Sequence, residues 1–138
     1  MQMNADLLVD GERSLGTYHV RLARFTYSGW TVTVPPLHAV ISNFRLILWP
    51  QTRRRYTPAS LPRTYILGLR EVQLDERRGV LIRLRTGHQL FMVVHPSELP
   101  EFVSTLRSML TPPVRGRVYT ARLLRHDLQR IIHTIQRI

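Results

Sequence analysis

One switch of period constrains this chain more than any other feature of its sequence. Up to residue 95 apolar and polar residues alternate in short runs broken by turn dipeptides. After Pro96 the apolar residues fall three and four apart. Tyr18, Val20 and Leu22 alternate with His19, Arg21 and Ala23, and the parity then slips to Phe25 and Tyr27, which predicts a bulge near Ala23–Arg24. Ser28–Gly29 turns the chain into Trp30, Val32 and Val34, and Pro35–Pro36 ends that strand. "AVI" and "FRLILW" flank Ser42–Asn43, and asparagine tolerates the positive φ of a tight turn, so the stretch reads as a hairpin. Residues 50–63, with three prolines and four arginines, read as the longest irregular segment. "TYILGLREVQLD", "VLIRLR" and "QLFMVV" complete seven strand segments, with Val80, Ile82 and Leu84 inward and Arg83 and Arg85 outward.

Beyond Pro96, Leu99, Phe102, Val103, Leu106, Met109 and Leu110 predict a helix with Ser97 as its N-cap and Pro100 in the first turn. Pro112–Pro113 stops it. A second helical pattern follows, with Ala121, Leu124, Leu128, Ile131, Ile135 and Ile138 on one stripe. The fold class is therefore mainly β with C-terminal helices (α+β). The organisation expected is a domain over 1–110, a Pro/Arg linker over 111–117 and a basic amphipathic helix over 118–138.

At 138 residues the chain has room for one domain and an appendage. It has no cysteine, which excludes disulfides, thiolate zinc sites and cysteine nucleophiles. No apolar run reaches the ~18 residues of a membrane span, and the acidic first residues do not read as a secretory signal, so the expectation is a cytoplasmic protein. The 20 basic residues are all arginine, against 9 acidic, for a net charge of +11. A field of that sign favours anionic lipid, nucleic acid or an acidic protein.

Several stretches carry a resemblance. "LLVDGE" (7–12) is similar to an apolar-x-Gly-Glu opening, and "AVISNFRLIL" to an apolar-x-apolar-Thr-Asn-x-Arg-Leu motif with Asn43 at the turn. Ile66, Leu69 and Val72 then match the apolar positions of the next strand, and "GVLIRLRTGHQLFMVV" resembles a closing hairpin before a helix. Together they resemble the GRAM-type branch of the pleckstrin-homology-like domains, over about residues 7–110. The resemblance implies a bent, seven-stranded antiparallel barrel capped by one helix, a mainly structural place for Arg45 beside the turn, and a binding role. Relatives of that kind hold inositol phosphates with basic residues between the first two strands. Here the equivalent turn is "YSGW", without a basic residue, so no headgroup-binding residue carries over.

The candidate anionic site is the loop with Arg53, Arg54, Arg55 and Arg63, beside Tyr56, extended by Arg83 and Arg85, because guanidinium forks suit phosphate. The terminal helix sets Leu124, Leu128, Ile131, Ile135 and Ile138 against Arg122, Arg125 and Arg130. Three outcomes are open for it: docking on the sheet, pairing in a homodimer, or lying on an anionic membrane. His126 and His133 lack a third ligand at usable spacing, so no metal is expected, and no cofactor. No nucleophile motif or glycine-rich phosphate loop is present, so no catalytic residue is named and an enzyme is not expected. The function expected is a binding or scaffold module adsorbing to anionic lipid or an acidic protein. The alternatives are nucleic-acid binding by the same arginines, which calls for aromatics exposed beside basic groups, and a structural homo-oligomer.

Overall fold

The computed structural model describes residues 8–33, 36–50, 58–111 and 125–136. Among these described residues eight strands run β1 (Ser14–Thr26), β2 (Gly29–Val32), β3 (Leu37–Ser42), β4 (Arg45–Pro50), β5 (Ala59–Pro62), β6 (Ile66–Leu74), β7 (Arg77–Leu84) and β8 (Gln89–Val94). A 3-10 turn, Arg63–Tyr65, joins β5 to β6. The helices are α1 (Leu99–Leu110) and α2 (Arg125–Gln136). All pairings are antiparallel, in the order β5-β4-β3-β1-β8-β7-β6 with β2 also on β1. The end strands β5 and β6 do not pair, so the sheet is bent but not closed.

β2 and β3 share one partner. Ala23 faces Val32 and Val20 faces Leu37, so both lie along β1 with an interruption where the sequence carries two prolines. A proline has no N–H to give to a ladder. The bulge expected at Ala23–Arg24 is absent: the register toward β2 runs through it unshifted, and the shift falls instead between Ser14 and Gly16. The parity slip has another cause. Phe25 lies on the face opposite the core, where it packs edge-on to Trp30 across the hairpin.

A second correction concerns residues 50–63, of which Ala59–Pro62 form a strand. Ala59 and Leu61 are buried in the core with Ser60 between them, paired to Leu48, Leu46 and Ile47. Four residues that follow one proline and end in another have too little intrinsic β signal to show in a sequence; the waiting edge of β4 makes them a strand.

The core lies between the concave face and α1. Leu99, Phe102, Val103, Leu106 and Met109 point into it, and Tyr18 meets Phe102 edge-on at 5.4 Å while its hydroxyl pairs with Thr105. The N-cap of α1 is Glu98 rather than Ser97, whose hydroxyl and N–H both engage the His95 ring. Glu98 makes no cap bond. Its carboxylate accepts the backbone N–H of His19 at 3.0 Å instead, just beyond the last β1–β8 pair, Val20 and Val94.

His19 faces His38 across β1 and β3, their rings 5.1 Å apart. Burial, with the neighbouring His19, holds the pKa of His38 below the usual imidazole range. The unfolded chain therefore takes up a proton near the ordinary value of 6.5 while the native state resists it. Native stability falls as pH drops through that range, until the native His38 also titrates. Urea midpoints at pH 7.5 and 5.5 are expected to differ less in His38→Gln than in the parent; an unchanged difference would show that other groups carry the effect.

α2 docks on β5 and β1. Ile131 is 2% exposed within the core cluster, with Leu128 and Ile135 packed partly buried against it. Asp127 accepts the backbone N–H of Ser60 at 3.2 Å and lies 3.5 Å from Arg130. Of the three outcomes left open by the sequence, the structure holds docking on the sheet.

Candidate anion-binding edge

The first question for a binding site is which arginines are already committed. Arg45 is. Gly11 has φ +80°, a conformation that favours glycine, and it delivers Glu12 beneath the β3–β4 turn. The Glu12 side chain is fully buried and accepts Arg45 Nε at 2.9 Å, Arg45 Nη2 at 3.0 Å, the Ser42 hydroxyl and the Val9 N–H. Arg45 Nη1 donates to Ser60 Oγ, which ties β4 to β5. Asn43 completes the join by accepting from Arg13 N and donating to Gly11 O. Burial alone would push the Glu12 carboxyl up. The bonds from Arg45, Ser42 and Val9 and the Arg45 charge outweigh it and hold the carboxyl below its ordinary range. The two segments that carried the resemblance, "DGE" and "SNFR", thus meet in one network, and Arg45 is structural.

Three other candidates gather elsewhere. The 3-10 turn carrying Arg63 abuts the β3–β4 turn through Arg63 N to Phe44 O, 3.0 Å. Arg85 folds onto the same turn: its backbone N–H donates to Tyr65 O at 2.9 Å and its Nε to Thr64 O. Arg83 stands opposite Gly68, and a Cβ on that glycine would lie 3.7 Å from Arg83 Nη2, so the guanidinium crosses a side-chain-free stretch of β6. Between them the β6 register shifts at Ile66–Gly68 and leaves Leu67 54% exposed. Arg83 and Arg85 are exposed and Arg63 half-buried. Among the described residues the ion pairs are His19–Glu98, Arg45–Glu12 and Arg130–Asp127, and none engages these three arginines. The result is a basic edge around an exposed leucine, joining residues 20 positions apart in sequence.

Arg53, Arg54, Arg55, Tyr56, Arg122, Leu124 and Ile138 lie outside the described residues. Arg125 opens α2, and Arg130 is exposed on it while Leu128, Ile131 and Ile135 face the sheet. Among the described residues no three His, Cys, Asp or Glu side chains group as a metal set, and no helix is long and apolar enough to cross a membrane. Sequence reasoning missed an outward aromatic group, Phe25, Trp30 and Phe91. Its one legible trace was the parity slip at Phe25.

No family model matches the chain, and no curated protein matches it by sequence. Solved structures do. The Vps36 N-terminal PH domain is 12% identical, with a TM-score of 0.62, over 75% of this chain and 83% of that one. The N-terminal PH domain of human ARAP2 is 13% identical, with a TM-score of 0.52, over 78% and 92%. A DH/PH fragment of p115-RhoGEF is 15% identical, with a TM-score of 0.54, over 76% of this chain and 31% of that one. At such identities the likeness establishes the fold, which is pleckstrin-homology-like, with an open sheet and two C-terminal helices.

Proposed function

We propose that the protein is a non-catalytic binding module that adsorbs to an anionic membrane surface through the edge formed by Arg63, Arg83 and Arg85. The observation that carries this reading is their gathering, without carboxylate partners among the described residues, around the exposed Leu67. Guanidinium forks match phosphate oxygens, and a lone apolar side chain among them has an interfacial layer to enter. The positive charges of Arg53, Arg54, Arg55, Arg122, Arg125 and Arg130 add to the attraction by sequence alone. The net charge of +11 supplies the long-range attraction. A GRAM-type assignment agrees with the clasp of Glu12, Asn43 and Arg45, and that clasp serves the fold rather than the ligand.

Vesicle co-sedimentation tests the reading. Near-physiological salt, the intact chain is expected to pellet with vesicles containing phosphatidylserine and not with phosphatidylcholine alone. Each arginine near such a surface contributes about 1 kcal/mol, so Arg63→Ala/Arg83→Ala/Arg85→Ala should bind roughly a hundredfold more weakly. Unchanged pelleting of the triple variant would move the site elsewhere. No pelleting by the parent would turn the search to an acidic protein.

A further inference from the structure

The β1–β2 hairpin presents aromatic rings away from the core. Leu90, Met92 and Val94 of β8 face inward, so Phe91 faces outward; it lies beside Ala23 of β1, and Phe25 pairs with Trp30 two residues on. The Trp30 ring stands 4.6 Å from Phe91 and 5.5 Å from Phe25. Phe25 is 69% exposed and Tyr27, at the turn, is fully exposed.

The display is held rigidly. Trp30 N donates to Asp75 Oδ2 at 2.9 Å, and Arg77 Nη1 reaches Trp30 O at 3.3 Å. The Thr26 hydroxyl closes the turn onto Gly29 O at 2.9 Å. Gly29 has φ +102°, and a Cβ there would stand 2.6 Å from Asp75 Oδ2, so the hairpin is locked to the β6–β7 turn by a contact only glycine permits.

We infer that this face binds single-stranded nucleic acid by stacking bases on Phe25 and Tyr27, with Trp30 and Phe91 as the floor and Arg77 meeting the phosphates. Every base has a π-face, so outward rings on strands beside exposed arginines make a sequence-tolerant platform. A duplex has its base faces already occupied and offers the rings nothing. A bilayer fits less well, because Asp75 and Glu76 sit at the same turn and would have to be desolvated there, whereas a base stacked on Phe25 need not touch them. The surface is separate from the Arg63–Arg83–Arg85 edge, and the inference does not rest on the membrane reading.

The test is fluorescence anisotropy with a labelled 20-nucleotide oligo(dT), at 50 and 300 mM salt, with duplex of equal length as competitor. The parent is expected to bind oligo(dT) at least tenfold more tightly than duplex. Phe25→Ala/Tyr27→Ala removes two exposed rings, so its melting curve should stay near the parent's. Its affinity should fall at least tenfold at both salts, because stacking is not screened. Arg63→Ala/Arg83→Ala/Arg85→Ala should lose affinity mainly at low salt. In a Trp49→Phe background Trp30 is the sole tryptophan, and oligo(dT) should quench it. Equal binding by the aromatic variant, equal competition by duplex, or no binding by the parent would each overturn the inference. So would a blue shift of Trp30 on anionic vesicles with no response to oligo(dT), which would assign the face to lipid.

Discussion

Glu12→Gln is expected to cost the fold about 3–5 kcal/mol, the range for breaking a buried ion pair by removing one partner. The Glu12 side chain is 0% exposed, and its carboxylate carries both Arg45 nitrogens, the Ser42 hydroxyl and the Val9 N–H. The amide keeps the shape and removes the charge that the guanidinium, 15% exposed, pairs with. For a domain stable by roughly 5–15 kcal/mol the loss is large, and urea denaturation reads it directly. Arg45→Met should cost a similar amount by stranding the carboxylate, and the double substitution should cost less than the two singles together. A single-variant loss under about 1 kcal/mol would mean that the pair behaves like an exposed one.

The same pair sets an acid limb. The native Glu12 carboxyl is held below its ordinary range, so between that ordinary value of 4.5 and the native one the unfolded chain takes up a proton that the native state refuses. The stabilisation is complete above pH 4.5 and is lost as pH falls through the native value. Glu12→Gln should therefore flatten the fall in stability on the acid side of pH 4.5 relative to the parent.

Ile131→Ala should cost about 2–4 kcal/mol, within the range for truncating a buried aliphatic side chain. Ile131 is 2% exposed among Leu22, Leu37, Leu48 and Ala59, beside a small, partly open pocket of about 30 Å³ that the truncation enlarges. Ile132, half-buried one position on, is the control, and its replacement by alanine should cost well under half as much. The result bears on function as well as stability. While α2 is docked its apolar stripe is buried against the sheet, and a membrane or a second copy meets its arginines instead. An unchanged urea midpoint for Ile131→Ala would mean that α2 opens independently of the domain, which would return Leu128, Ile131 and Ile135 to the list of groups free to bind.

The elements carried by local chemistry were legible. The hairpin turn between β3 and β4 falls where the alternation required, one residue on from the expected pair, at Asn43–Phe44 with Ser42 ending β3, and the helical spacing after Pro96 marks the buried face of α1. Less legible was whatever needed a partner distant in sequence. β5 is four residues whose strand character comes from the edge of β4. Ser97 carries the residue type of an N-cap and spends it on His95. The candidate site divides in the same way. Arg83 and Arg85 on an outward strand face could be read from parity, whereas their meeting with Arg63 depends on a 3-10 turn that receives Arg85 at Thr64 and Tyr65.

By itself, then, the sequence determined a cysteine-free, arginine-only basic chain of antiparallel strands followed by two amphipathic helices, because alternation, turn residues and charge are properties of neighbouring positions. The tertiary structure alone decided that Arg45 spends its charge on a glutamate 33 residues earlier, that α2 lies against β5 and β1, and that Phe25, Trp30 and Phe91 share one outward face. Each of these is a contact between segments far apart in the chain. Its free energy comes from burial and pairing that exist only once the sheet has bent round to bring them together.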